Sequence, residues 1–200
     1  MPNVSDKSIY DTLIKDDSYW WNNPGKRKNV QWEATTALRH WICRHVLDAG
    51  CGRGDLAAHL AYNHFRVTGC DVVDCRFYIQ RKNTANGKYP IKFEQCDLTE
   101  MPFSDDQFDA VVCVDVIEHL YPDDVDAALS EMLRVAPRLY IRAACYPSHH
   151  GEFRDLHRTL ELPEQWNERL LELANIEEMR IEYKNDRTDR PIFVARAERR

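Results

Sequence analysis

From Val46 onward, short runs rich in β-branched and aliphatic residues alternate with stretches whose apolar positions recur at helical spacing. That alternation is the pattern of a parallel sheet covered by helices on both faces. The apolar runs predict strands over 45–49, 66–71, 90–95, 108–114, 138–145, 178–184 and 191–197. The last two flank the turn-like Asn185-Asp186-Arg187-Thr188-Asp189, so they predict an antiparallel hairpin closing an otherwise parallel sheet. Between strands, Asp123 and Asp124 after Pro122 read as the cap of a helix whose apolar face is Val125, Leu129, Met132 and Leu133. Pro163 opens a second helix, EQWNERLLELA.

The first 44 residues differ, with Trp20, Trp21, Trp32 and Trp41 interleaved with charges and a turn at Asn23-Pro24-Gly25. They predict a helical N-terminal lid (1–44) on a core at 45–200, the whole of 1–200 forming one domain. The plainer alternative for the tryptophans is that they pack the edge of that domain rather than touch a substrate. A chain of 200 residues with 44% apolar and 30% charged composition suits a single globular core. No apolar run approaches the length of a membrane span, and the first residues lack the basic start and apolar core of a signal peptide, so a cytoplasmic location is expected. The seven cysteines include no C-x-x-C pair and read as reduced thiols, mostly in the core. A net charge of −6, with Lys26-Arg27-Lys28 the longest basic run, argues against long duplex nucleic acid as a partner.

Candidate chemistry is concentrated in His45-Val46-Leu47-Asp48-Ala49-Gly50-Cys51-Gly52-Arg53-Gly54-Asp55-Leu56, an apolar strand running through three glycines into a helix. Glycines permit positive φ and close backbone approach, and the free N–H groups of the helix start attract an anionic group. A dinucleotide fingerprint needs a small residue where Asp55 stands, and a carboxylate there opposes a pyrophosphate but tolerates a cationic cofactor. Asp71 follows the second strand at about the spacing, roughly twenty residues on, where an acid meets ribose hydroxyls. Asp97 and Leu98 follow the third, where a carboxylate beside an apolar side chain can meet an adenine amino group and ring.

Together VLDAGCGRG, then CD, then CDLTEMPFSDDQFDAVVCVDVIEHL resemble the class I S-adenosylmethionine-dependent methyltransferases over about residues 45 to 145. That family's Rossmann-like fold, a seven-stranded, mostly parallel α/β sheet with an antiparallel last strand, agrees with the strand count above. The resemblance implies S-adenosylmethionine as cofactor, held by Asp48, Gly50, Cys51, Gly52 and Gly54 at the methionine end, Asp71 and Val72 at the ribose, Asp97 and Leu98 at the adenine, with Val114 and Asp115 lining the site after the fourth strand.

After the fourth strand, Asp115-x-x-Glu118-His119 would, on a helix, set two carboxylates and an imidazole on one face. The loop after the fifth strand adds His149, His150 and His157. This pairing is similar to a metal-assisted subgroup, the small-RNA 2′-O-methyltransferases and ubiquinone-pathway O-methyltransferases, where Glu-x-x-Glu-His helps bind a divalent cation. Asp115 departs from that pattern with an arm one methylene shorter. The resemblance implies Glu118, His119 and His157 as catalytic residues and Asp115, Glu118, His119 and His157 as ligands of Mg²⁺ or Mn²⁺; without a metal, His119 is a substrate-pocket residue. The base-methylating motifs are absent: residues 114–117 read Val-Asp-Val-Ile, and no Pro-Cys dipeptide occurs. The expected activity is O-methylation of a small molecule, sugar or terminal nucleotide. The alternatives are a metal-independent N-methyltransferase and a non-catalytic cofactor-binding module that serves a partner. Arg134, Arg138, Arg142, Arg154 and Arg158 read either as a basic rim for an anionic acceptor or as ordinary solvated charges.

Overall fold

The computed structural model describes residues 4–17, 24–86, 90–150, 153–154, 156–183 and 190–200. The expected tryptophans Trp20 and Trp21 and the turn 185–189 lie outside them. The chain divides into two compact units, 1–98 and 99–200.

The first unit runs α1 (Val4–Leu13), α2 (Pro24–His40), β1 (His45–Ala49), α3 (Asp55–Tyr62), β2 (Arg66–Asp71), α4 (Arg76–Asn86) and β3 (Lys92–Gln95). The N-terminal segment is thus helical, but the turn expected at Pro24 is instead the first turn of α2, a place that the fixed φ of proline suits. Strands pair in the order β3-β2-β1, all parallel, with Asp48 opposite Gly69 and Asp71 opposite Gln95. β1 and β2 are buried along almost their whole length, which explains their unbroken apolar runs, while β3 is half exposed and shorter than expected. Gly69 is required because a Cβ there would lie 2.8 Å from Cys51 Sγ.

The second unit runs β4 (Ala110–Val114), a 3-10 turn (Ile117–His119), α5 (Pro122–Val135), β5 (Arg138–Ala144), a two-residue ladder joining His149–His150 to Phe153–Arg154, α6 (Pro163–Leu173), β6 (Ala174–Tyr183) and β7 (Pro191–Arg199). The order is β4-β5-β7-β6, parallel between β4 and β5 and antiparallel on either side of β7. The seven strands thus form the expected mostly parallel sheet, with β7, the last, antiparallel. β6 begins four residues before its expected start: Ala174 pairs with Arg199 at once, so α6 ends at Leu173. In α5 the predicted face, Val125, Leu129, Met132 and Leu133, is buried. Its cap differs, because Tyr121 takes the extended cap conformation, Pro122 the first helical position, and Asp123 and Asp124 the first turn, where they face the positive end of the helix dipole. All seven cysteines are free thiols, five of them buried. No helix among the described residues is long and apolar enough to cross a membrane.

Candidate active site

In the first unit the loop between β1 and α3 is built for backbone exposure. Gly50, Gly52 and Gly54 have φ of 74°, 49° and 76°, left-handed values that side chains resist. The N–H groups of Gly50 and Cys51 both donate to the Cys70 carbonyl at 2.9 Å, which fastens the loop to β2. Asp71 fastens it again: Oδ2 accepts from the Gly52 N–H at 2.9 Å and Oδ1 from the Val73 N–H at 3.0 Å. A carboxylate offers about four acceptor positions, so Asp71 keeps lone pairs for a diol. Burial pushes its pKa up, opposed by those backbone hydrogen bonds. The Val72 carbonyl accepts from Gln95 Nε2 at 2.8 Å, and the Cys96 N–H donates to the Asp71 carbonyl at 3.0 Å, which brings the chain before half-exposed Asp97 and buried Leu98 against the end of β2. The Cys51 thiol is held protonated by burial and by Asp48 and Asp71.

Asp48 is the more unusual acid. It is buried in β1, accepts a backbone hydrogen bond from Ala57, and has its Oδ2 left with no partner. Burial first, then Asp71 and Asp55, push its pKa up to about 7. A bare carboxylate oxygen among further acids suits a ligand ammonium and repels a phosphate. Asp55 itself is ion-paired with Lys82, and Arg53 donates to the Ile14 carbonyl at 2.7 Å and to Asp17 at 2.6 Å while lying 4.8 Å from the Tyr78 ring centroid. Arg53 therefore ties the segment after α1 to the glycine loop, a link that sequence spacing gave no sign of.

In the second unit a different chemistry is gathered after β4. Asp115 takes φ 55°, strained for a non-glycine residue, and the chain then makes only the three-residue 3-10 turn. The expected helical face is therefore not formed: Asp115 turns to an ion pair with Arg142, while Glu118 and His119 are joined by His157. Backbone contacts hold that partner in place, since the Thr159 N–H donates to the Glu118 carbonyl at 3.1 Å and the Thr159 hydroxyl to the Leu120 carbonyl at 2.8 Å. The imidazoles of His119 and His157 meet edge to face with centroids 4.8 Å apart. His157 Nδ1 lies 2.5 Å from the Tyr146 carbonyl, so that nitrogen carries a proton. His119 is hydrogen-bonded to the Leu156 backbone; burial, His157 and Arg158 together hold its pKa down to about 3, so the ring is neutral. Glu118 is fully buried. Its Oε1 accepts from the Ala144 N–H at 3.0 Å, and Oε2 has no partner. Burial, then Asp115, push its pKa up to about 8.

Donor atoms of Glu118, His119 and His157 all lie within 4.8 Å of one another among the described residues. Octahedral ligands around a cation at ~2.1 Å stand roughly 3 to 4.2 Å apart, so these three fit a small divalent ion after a modest contraction. Two imidazole nitrogens and an orphaned carboxylate oxygen are the donor chemistry that fit requires.

A family model described as a methyltransferase domain matches residues 46–137, which contain both the glycine loop and the Glu118-His119 turn. Over those residues, just under half of its length, the chain is similar to the methyltransferase domain. It is 34% identical over 85 residues to a ubiquinone biosynthesis O-methyltransferase of Alkalilimnicola ehrlichii, covering 42% of this chain and 34% of that one. It is 28% identical over 110 residues to the enzyme of the same name from Coxiella burnetii, covering 52% and 47%. The chain thus spans less than half the length of these curated relatives. Among solved structures it is similar to the N-methyltransferase NodS from Bradyrhizobium japonicum in complex with S-adenosyl-L-homocysteine, with TM-score 0.73 and 19% identity over 97% of this chain and 98% of that one, a likeness of fold.

The residues expected from the sequence fall into two groups. Asp48, Gly50, Cys51, Gly52, Gly54, Asp71 and Val72 stand at the ends of β1 and β2, with Asp97 and Leu98 just beyond β3. Glu118, His119 and His157 come together in the second unit, as does Val114 at the end of β4, while Asp115 is engaged elsewhere. His149 and His150 lie in the two-residue ladder, and their side chains and that of Arg154 are outside the described residues. The supposed basic rim is largely neutralised: Arg134 pairs with Glu131 and Asp105, Arg138 with Glu198, and Arg142 with Asp115 and Glu182.

Proposed function

We propose that this methyltransferase domain transfers the methyl group of S-adenosylmethionine to a hydroxyl of a small molecule, a sugar or a terminal nucleotide. The observation that carries the reading is the His119–His157 pair, with His119 neutral and each ring tied to backbone through one nitrogen, beside the unpartnered Glu118 oxygen. Bound S-adenosylmethionine supplies an electrophilic methyl; the acceptor oxygen bonds to it, the C–S bond breaks, and the sulfur keeps the electron pair. The chain's own residues bind, orient and take the proton. Exposed amides at Gly50–Gly54 meet the carboxylate of the methionine part, Asp48 its ammonium, Asp71 the ribose diol, and Asp97 and Leu98 the adenine. The acceptor's hydroxyl proton passes to an unprotonated imidazole nitrogen of His119 or His157. A purely cofactor-binding module has no use for such a proton acceptor, and the O-methyltransferase names of the sequence relatives favour oxygen over nitrogen.

The grouping of donors supports a second reading, in which Glu118, His119 and His157 hold Mg²⁺ or Mn²⁺. A bound cation would lower the pKa of the acceptor hydroxyl, and Glu118 would then be ionised. Calorimetry with S-adenosylhomocysteine, followed by labelled-methyl transfer into pooled hydroxylated metabolites and RNA oligonucleotides with and without EDTA and Mn²⁺, tests both. Cofactor binding with EDTA-resistant transfer supports the histidine base; transfer restored only by Mn²⁺ supports the metal; no cofactor binding removes the methyltransferase reading.

A further inference from the structure

We infer that Arg190, seated over Tyr146 beside the His119–His157 pair, forms an anion-binding subsite that selects acceptors carrying a carboxylate or phosphate group. The inference rests on the methyltransferase reading and adds a substrate class to it. It starts from the sheet. Strands β5 and β7 pair with Ala144 opposite Ile192, and the Cys145 N–H donates to the Pro191 carbonyl at 3.0 Å just beyond. Continued by one more pair of residues, this antiparallel register sets Tyr146 opposite Arg190. The guanidinium accordingly lies 5.8 Å from the Tyr146 ring centroid, a cation–π distance. Tyr146 continues the chain of contacts inward: its ring centroid is 5.7 Å from that of His157, and its carbonyl fixes the His157 tautomer. His157 in turn meets His119.

What distinguishes Arg190 is that no carboxylate among the described residues pairs with it. In the same unit Arg134, Arg138, Arg142, Arg169, Arg196 and Arg199 each hold a carboxylate. Arg190 is half-buried and has no carboxylate partner among the described residues, in a chain with more acids than bases. A partly desolvated guanidinium with its fork unfilled binds carboxylate or phosphate oxygens in pairs. Arg158, which lies 5.7 Å from the Tyr121 ring centroid and contributes to keeping His119 neutral, adds positive potential at the histidine pair. An acceptor with a hydroxyl and an anionic group is therefore held at both ends, its charge on Arg190 and its hydroxyl at the imidazoles.

The test uses the whole chain saturated with S-adenosylhomocysteine, with benzoate and phenyl phosphate as the anionic probes and benzamide as the neutral one, followed by ligand-observed NMR. The wild type is expected to bind one or both anions and to prefer them to benzamide, and the preferred anion distinguishes carboxylate from phosphate. Arg190→Ala and the stem-preserving Arg190→Gln should each weaken that anion by about tenfold or more, leave benzamide and S-adenosylhomocysteine unaffected, and be partly rescued in Arg190→Lys. Equal binding of anions and benzamide, no binding of either anion, or anion binding unchanged in Arg190→Gln overturns the subsite. Failure to bind S-adenosylhomocysteine at all overturns instead the reading beneath it.

Discussion

In the first unit the buried acid Asp48 looks onto further carboxylates, whereas in the second the buried acid Glu118 looks onto two imidazoles. The two are otherwise alike. Each rests one oxygen on a backbone N–H, from Ala57 or Ala144, and leaves the other bare. Each is held well above the usual carboxylate range by burial. An orphaned buried oxygen is costly by about 1 to 3 kcal/mol, so two in one chain imply ligands to fill them. The neighbours decide which ligand. Around Asp48 the surplus of negative charge asks for a fixed cation such as an ammonium, and the glycine amides beside it ask for the carboxylate of the same amino acid. Around Glu118 the imidazoles, His119 being neutral, ask for a proton to accept or a metal to share.

If the two regions divide the work in this way, variants in one should leave the other's property untouched. The largest effect is expected at His119: His119→Ala should lower turnover by about 10²- to 10⁴-fold, with S-adenosylhomocysteine affinity unchanged by calorimetry. Unchanged turnover would reduce the imidazole to scaffolding. Because His119 is packed against His157, thermal unfolding of His119→Gln should accompany the assay, so that loss of activity is separated from loss of fold. Next comes Asp71, which both braces the glycine loop and is left with lone pairs for ribose. Asp71→Ala should weaken S-adenosylhomocysteine by more than about tenfold, from charge-assisted contacts worth roughly 1.5 to 3 kcal/mol. The loss should appear in the KM for the cofactor more than in kcat. Wild-type affinity in that variant would take Asp71 out of the site.

These two regions also differ in how readily the sequence disclosed them. The glycine loop is a local object: three residues that must take positive φ follow an apolar run, and their meaning does not depend on distant chain. The strand pattern was equally local, and its errors lie at the ends, as at β6, where pairing of Ala174 with Arg199 outweighs helix propensity. The histidine cluster was half legible. Helical spacing brought Glu118 and His119 to notice, but it also enrolled Asp115, and nothing in the spacing discloses that residue 115 takes φ 55° and turns to Arg142. His157 was visible with His149 and His150 in the loop after the fifth strand, and only the resemblance singled it out among them. Arg190 was missed altogether, because its nearness to Tyr146 is set by the register of β5 against β7 and neither residue's neighbours in the chain report it. For the rim arginines the sequence left two readings open for the same reason, since charge is visible in a sequence and counter-charge from another strand is not.

The smallest effect expected is also the sharpest test of the contrast between the two acids. With its pKa raised from 3.8 to about 7, Asp48 is protonated in the free protein at pH 6 but not in the unfolded chain. Its contribution to stability is therefore greatest below pH 3.8 and is lost as the pH rises through about 7. A ligand ammonium reverses the preference, because it binds the ionised form. S-adenosylhomocysteine binding should accordingly release up to one proton at pH 6 and almost none at pH 8, read from the calorimetric enthalpy in buffers of different ionisation heat. Affinity should rise by at most about tenfold over the same interval, the limit for a single group deprotonated on binding. Asp48→Asn should abolish both the proton release and the pH dependence. Glu118→Gln should leave both intact, since that acid faces the imidazoles and not the cofactor's amino group. Proton release that vanished in Glu118→Gln and survived in Asp48→Asn would invert the assignment of the two buried acids.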